Sequence, residues 1–250
     1  MFAPIKIMLL DVGNTSIKYS YFYTGETEKN IKVNAVALSQ LNDVVNAVEF
    51  VFVCSVRDEA FNRRLAMVLS KTECAFEFIE TQKEYRGLTN SYEKVHNMGA
   101  DRWVGMIGAQ YLVGNSFLLV DAGTAITIDA VENLHHLGGW IVAGRGTAKS
   151  ALLANTDRVF DTDKSLDVLA FGQDTPECVV QGSDAMAIGV VLSALTVLKK
   201  RPTPFVIVVS GGDATVITSN LKMIVDNHIL ETTNVVLVGL AAIANARFLR

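Results

Sequence analysis

Ile7-Met8-Leu9-Leu10-Asp11-Val12-Gly13-Asn14-Thr15 is echoed by Phe117-Leu118-Leu119-Val120-Asp121-Ala122-Gly123-Thr124-Ala125, 110 positions further on. Each copy is an apolar run, then Asp-x-Gly, then small residues, then a second β-prone segment, Ile17 to Phe22 in the first copy and Ile126 to Val131 in the second. β-branched and aromatic residues favour the pleated strand, and Gly admits backbone angles that other residues resist. Both stretches therefore predict strand, tight turn, strand. A second echo pairs Phe50-Val51-Phe52-Val53-Cys54-Ser55 with Phe205-Val206-Ile207-Val208-Val209-Ser210, each an apolar strand ending in Ser. The chain reads as two halves, each with an acidic hairpin turn and a later buried strand.

Helical periodicity fills the intervals. Glu59 to Ser70 puts Phe61, Leu65, Val68 and Leu69 on one face, and Ala100 to Leu112 does the same with Trp103, Val104, Ile107 and Tyr111. Gly182 to Lys200 is a long apolar helix that stops at Lys199-Lys200-Arg201 before Pro202, and Glu231 to Leu249 predicts a turn and a final helix. Strands alternating with helices give an α/β chain of two domains, 1–115 and 116–250, joined near Gly114-Asn115.

Composition narrows the classes. Of 250 residues 50% are hydrophobic, which excludes a disordered chain, and the formal charge of −4 gives no global attraction to nucleic acid. Three cysteines, Cys54, Cys74 and Cys178, lack a Cys-x-x-Cys spacing, so neither a disulfide framework nor a cysteine zinc site is expected. The N-terminal apolar stretch stops at Asp11 with no cleavage signature, and Val235 to Ala244 falls well short of the roughly 20 residues that cross a bilayer. A cytoplasmic protein without membrane or nucleic-acid partners is the expectation.

An Asp-x-Gly turn lets backbone N–H groups approach an anion while the carboxylate holds a cation or its water, so two copies suit a phosphate-and-metal cradle. In the first copy Asn14, Thr15 and Ser16 add polar groups, and Lys18 shares a strand face with Ser16, where an ammonium meets phosphate oxygens. A single copy reads first as a plain surface hairpin with a Gly turn; two copies, each preceded by four apolar residues, reverse that preference in favour of the cradle. At Gly99-Ala100-Asp101-Arg102-Trp103 a helix begins with a carboxylate suited to take a proton from a substrate hydroxyl, beside a guanidinium suited to an anionic substrate. An Asp N-cap with a solvated Arg fits the same letters.

Two glycine-rich loops stand out, Gly138-Gly139 through Gly144-Arg145-Gly146 and Ser210-Gly211-Gly212-Asp213. Lys149-Ser150 does not complete a Walker A motif, because Ala148 and Ala143 occupy its glycine places. Either loop suits close approach to a nucleotide, and either serves as a plain turn. His135-His136 reads as a loop pair without a third metal ligand, and no Gly-x-Ser-x-Gly elbow supports a hydrolase.

The ordered set from Asp11-Val12-Gly13-Asn14-Thr15 through Gly99-Ala100-Asp101-Arg102, Asp121-Ala122-Gly123-Thr124 and Gly138-Gly139 to Gly172-Gln173-Asp174-Thr175 resembles the bacterial type III pantothenate kinases. These belong to the actin-like, sugar-kinase and Hsp70-type ATPase superfamily. The resemblance implies two RNase-H-like domains with an active-site cleft between them, ATP and Mg2+ as cofactors, and phosphorylation of the pantothenate hydroxyl as the first step of coenzyme A synthesis. It assigns ATP binding to Asp11, Val12, Gly13, Asn14, Thr15, Ser16, Ile17, Lys18 and Thr124. It makes Asp101 the general base, Asp121 the ligand of a monovalent cation, K+ or NH4+, and Tyr92, Gly99, Ala100, Asp101, Arg102 and Thr175 the pantothenate contacts. By the same resemblance the protein is a homodimer in which Thr175 reaches the substrate across the interface. Two positions depart from the family pattern: Ala143 stands where Pro is usual, and Asp174 where Asn is more frequent, placing an extra charge near an anionic substrate or pointing elsewhere. A regulatory binder on the same fold, or a kinase of another small alcohol, shares the fold expectation; the Gly-Ala-Asp-Arg run and the full set of acidic residues favour the pantothenate kinase.

Overall fold

The computed structural model describes residues 4–27, 30–45, 48–156 and 168–249. In chain order the elements are β1 (Lys6–Val12), β2 (Ile17–Tyr23), β3 (Asn34–Val36), α1 (Leu41–Val44), β4 (Phe50–Ser55), α2 (Glu59–Leu69), β5 (Ala75–Phe78), β6 (Glu84–Tyr85), β7 (Leu88–Thr89) and α3 (Ala100–Val113). There follow β8 (Phe117–Ala122), β9 (Ala125–Glu132), β10 (His135–Ala143), α4 (Arg145–Asn155), α5 (Thr175–Leu198), β11 (Val206–Ser210), α6 (Ala214–Leu221), β12 (Ile229–Glu231) and α7 (Val235–Phe248). They form two compact units, Met1–Gly114 with Asn234–Arg250, and Asn115–Thr233.

In the first unit the sheet runs β3-β2-β1-β4-β5. β1 is central, antiparallel to β2 and parallel to β4, and is buried on both faces, which is why its sequence is a continuous apolar run rather than an alternating one. Met8, Leu10 and Val12 join Leu41, Phe61, Leu65 and Leu69 in the core beneath α1 and α2. Asp58 caps α2 by accepting the Phe61 N–H at 2.7 Å. α3 and α7 pack on each other and against β4, where Phe248 of α7 meets the Phe50 and Phe52 rings. The β6–β7 hairpin is closed by Arg86-Gly87, both at positive φ.

The second unit repeats the plan. Its own strands run β12-β11-β8-β9-β10, with β8 central, antiparallel to β9 and parallel to β11. The two sequence echoes thus occupy equivalent strands, β1 with β8 and β4 with β11. Leu118, Val120, Ile126, Ile128, Ile207 and Val209 bury one face of this sheet against α5 and α6. α5 has the length and apolarity of a membrane-crossing helix, yet half of its most apolar window is buried in the structure, against this sheet. Its start is set by Asp174, whose carboxylate accepts the Glu177 N–H at 2.8 Å, and by Pro176 in the first turn, so the helix begins at Thr175 rather than at Gly182.

Three further expectations change. The final helix, placed by the sequence in a domain spanning 116–250, belongs by its contacts to the first unit. Gly138 to Ala143 is not a loop but part of β10; the glycines serve a register shift between His136 and Gly138, with Gly138 at φ 128°. His136 lies in the same strand, buried, with Nε2 3.1 Å from Asp129 Oδ1, and among the described residues no group of three or more His, Cys, Asp or Glu is arranged to hold a metal.

The α3–α7 contact is close enough to dictate its residues. A Cβ on Gly239 would fall 2.0 Å from the Val104 carbonyl oxygen, and one on Gly108 would fall 2.3 Å from that of Val235. Neither obstacle is the movable end of a side chain, so the helices must separate to admit a methyl group. Gly239→Ala is expected to cost about 3 kcal/mol, read as a lower urea midpoint at unchanged slope.

Candidate active site

In the first unit, Asp11 and Lys18 face each other as register partners across the β1–β2 hairpin, and Gly13 to Ser16 form its turn, closed by the Gly13 N–H to Ser16 carbonyl bond at 3.0 Å. Asn14, Thr15 and Ser16 are exposed, and the Arg57 guanidinium braces the turn by donating to the Asn14 carbonyl at 3.1 Å. The stretch is the tight hairpin expected: Thr15 and Ser16 are exposed at its tip, and the ammonium of Lys18 and the carboxylate of Asp11 sit on the strands behind it.

Asp11 is half-buried. Burial, the largest influence, raises its carboxyl pKa above the ordinary value; Asn234 and then Lys18 oppose the rise, and the charge of Asp101 adds to it. Asn234 donates its Nδ2 to Asp11 Oδ2 at 2.9 Å while its Oδ1 accepts the Leu237 N–H at 2.8 Å, capping α7. Cys54, opposite Asp11 on β4, is fully buried; desolvation first, then the charges of Asp11 and Asp101, push its thiol well up, which keeps it neutral and unreactive.

Asp101 is not the N-cap of α3. That position is Gly99, and Asp101 stands in the first turn with Oδ1 accepting the Arg102 N–H at 2.7 Å. A carboxylate here is favoured by the helix dipole. Arg102 is buried at 6% exposure, and its Nη1 donates to the Tyr92 hydroxyl at 2.9 Å, so two of the substrate residues named from sequence are in direct contact. The loop carrying Tyr92 is tied down by Lys83, whose Nζ donates to the carbonyls of Asn90 and Tyr92 at 2.8 and 3.2 Å. Trp103 is wholly buried and serves the core.

In the second unit Asp121 pairs with Thr127 on β9 and with Ser210 on β11, and Gly123-Thr124 make the exposed turn. Both glycine-rich stretches converge on it. Gly144 donates its N–H to the Thr124 carbonyl at 3.0 Å, and a Cβ there would lie 1.9 Å from the Gly123 oxygen. From the other side Gly211, at φ 96°, brings the exit of β11 so close that a Cβ would lie 2.2 Å from the Ala122 oxygen. The Thr147 hydroxyl adds a 2.6 Å bond to the Thr124 carbonyl. The second Asp-x-Gly turn is therefore clamped through its backbone, by two glycine approaches and one threonine hydroxyl, and Gly123 and Thr124 stay exposed at its tip.

A charged network that sequence reading missed locks this clamp. Arg145, the first residue of α4, bonds Asp184 of α5 through Nε and Asp213 of the loop after β11 at 2.8 Å. Burial opposes the charge on Arg145, but the hydrogen bonds and charges of Asp184 and Asp213 outweigh it and hold the guanidinium protonated. Asp174 points into the start of α5 as its cap, so its departure from the family Asn is absorbed locally. Thr175 lies beside it, exposed, lining an open cavity of about 490 Å³ with Leu152, Gln173 and Cys178.

Comparison with known proteins bears on the family and the fold. The sequence model of the type III pantothenate kinase family matches residues 7–197, a span that holds every site residue named above except Asn234, Ser210, Gly211, Asp213 and Leu237. The type III pantothenate kinase of Pseudoalteromonas translucida is 34% identical over 217 residues, covering 86% of this chain and 88% of that one. Among solved structures, a candidate Baf family transcriptional activator from Campylobacter jejuni aligns with a TM-score of 0.59 at 22% identity, over 96% of this chain and 98% of that one. A candidate 2-dehydro-3-deoxygalactonokinase from Sinorhizobium meliloti aligns with a TM-score of 0.58 at 12% identity, over 97% and 99%. At these identities the structures speak for the fold, that of the actin-like and sugar-kinase ATPases, in which each half is RNase-H-like. Sequence over most of the chain and a doubled fold around two acidic hairpins lead to the same place: this chain is a member of the type III pantothenate kinase family.

Proposed function

We propose that the protein transfers the γ-phosphoryl group of ATP to the hydroxyl of pantothenate, giving 4'-phosphopantothenate and ADP, the first step toward coenzyme A. The observation that carries this reading is the family match over residues 7–197, which includes both acidic hairpins and the Gly-Ala-Asp-Arg helix start. In the transfer the pantothenate hydroxyl oxygen bonds to the γ-phosphorus, the bond from that phosphorus to the β-bridging oxygen breaks, and Asp101 receives the hydroxyl proton. Phosphoryl transfer is mostly positioning and charge neutralisation, so the remaining residues hold reactants. Residues 11–18 cradle the ATP phosphates with Lys18 as the cation, Thr124 adds a nucleotide contact, and Tyr92, Gly99, Ala100 and Arg102 bind pantothenate, the guanidinium meeting its carboxylate.

Mg2+ generally takes one or two carboxylates and completes its shell with water and phosphate oxygens, and a lone Asp11 at a phosphate turn fits that donor set. When bound, the metal neutralises charge developing on the phosphates. Asp121, clamped beside backbone carbonyls of its own turn, suits a monovalent cation, K+ or NH4+. The protein works in the cytoplasm as a homodimer. On α5 the exposed residues Cys178, Gly182, Ala185, Met186, Ser193 and Val197 form a face of small and apolar side chains, and Thr175 at its start then reaches the partner's substrate.

ADP release measured with purified protein, ATP and Mg2+ tests the reading. Release is expected to require pantothenate and to be faster in potassium than in sodium buffer. Pantothenate-independent release, or none from folded protein, overturns it.

A further inference from the structure

Asn234 is 5% exposed and lies beyond residues 7–197, the span that the family model matches. Its side-chain amide has two ends with two fixed tasks. Oδ1 accepts the Leu237 N–H at 2.8 Å, and helix geometry supplies only donors at that place. The amide cannot turn over without losing the cap, so its NH2 group is compelled to face Asp11, where Nδ2 meets Oδ2 at 2.9 Å. The start of α7 thereby sets the rotation of a carboxylate in β1, more than two hundred positions earlier in the chain.

We infer that Asn234 is a positioning residue for Asp11, fixing the carboxylate so that Oδ2 is committed to the protein and Oδ1 is the oxygen presented to the Mg2+-ATP phosphates. The inference rests on the reading of the β1–β2 turn as the phosphate cradle. Ser, Thr and Asp cap helices about as well as Asn, so a plain capping role tolerates any of them. Positioning does not, because Ser is too short to bridge to Asp11 and Asp offers it no donor. Asn is the residue type here that both caps and donates over that distance.

The test compares Asn234→Ser, Asn234→Asp, Asp11→Asn and the double variant Asn234→Ser with Asp11→Asn in the full chain. Mg2+-ATP affinity is measured by calorimetry and the melting temperature is measured without ligand. Loss of a hydrogen bond to a charged group is expected to weaken Mg2+-ATP binding about tenfold or more in Asn234→Ser, with the melting temperature nearly unchanged and the KM for pantothenate unmoved. In the Asp11→Asn background Asn234→Ser is expected to have no further effect on binding. Unchanged affinity in folded Asn234→Ser, together with weakened binding in Asp11→Asn, overturns the positioning role and leaves the cradle standing. Normal affinity in Asp11→Asn removes the cradle reading itself. Should Asn234→Ser fail to fold, Asn234→Asp, which keeps a capping oxygen at the same reach as the native Oδ1, decides the matter on the same two measurements.

Discussion

Asp101→Asn is expected to lower kcat for pantothenate phosphorylation by about a hundredfold to ten-thousandfold, the usual contribution of a positioned proton acceptor. The substitution is nearly isosteric. Asn retains an oxygen that accepts the Arg102 N–H, so the first turn of α3 and the Arg102–Tyr92 contact remain in place. What is lost is a negative charge at a helix start, worth about 0.3–1 kcal/mol, and the capacity to take a proton. The expected signature is therefore a collapse of kcat beside a small fall in melting temperature and normal ATP affinity by calorimetry. Turnover at the wild-type rate removes Asp101 as the base.

Asp11→Asn is expected to separate activity from stability. Removing the carboxylate from the proposed phosphate cradle is expected to lower kcat by about 10²–10³, the loss typical of one preorganised charge-stabilising group. Stability moves the other way. Burial raises the Asp11 pKa in the folded protein, so folding favours the protonated form. Below the unfolded value of 3.8 both states are protonated and ionisation costs nothing. As pH rises from there through the folded pKa, the unfolded chain gives up its proton more readily, and the wild type loses stability until both states are ionised. Asn carries no such penalty. The variant's advantage in melting temperature is expected to be small near pH 3 and full at neutrality; an advantage that shrinks as pH rises contradicts this account.

The doubled plan is legible because central strands buried on both faces must be apolar throughout, and because a turn that brings backbone N–H groups together writes itself as Asp-x-Gly. From β1 and β8 the partners β4 and β11 follow by their matching sequences. Glycine misled at Gly138-Gly139, where it marks a bulge inside β10 rather than a loop; an isolated strand pattern does not distinguish the two. Asp174-Thr175-Pro176-Glu177 carries the signature of a helix start, an acidic cap with Pro in the first turn, and it sets the start of α5 ahead of the apolar run from Gly182. Asn234 before Val235-Val236-Leu237 likewise announces an N-cap. Its second bond, to Asp11, has no local trace, because only folding brings the two ends of the chain together. The same holds for Arg145, Asp184 and Asp213, whose ionic link depends on three separate elements.

The return of α7 to the first unit also sets a timetable. During synthesis the second unit, residues 115–233, has all its parts before Asn234 leaves the ribosome, whereas β1 to β5 wait for the last helix to cover one face of their sheet. The half that begins first is completed last. The amide that holds Asp11 arrives with that helix, so the carboxylate at the end of β1 gains its partner only after the whole of the second unit has been made.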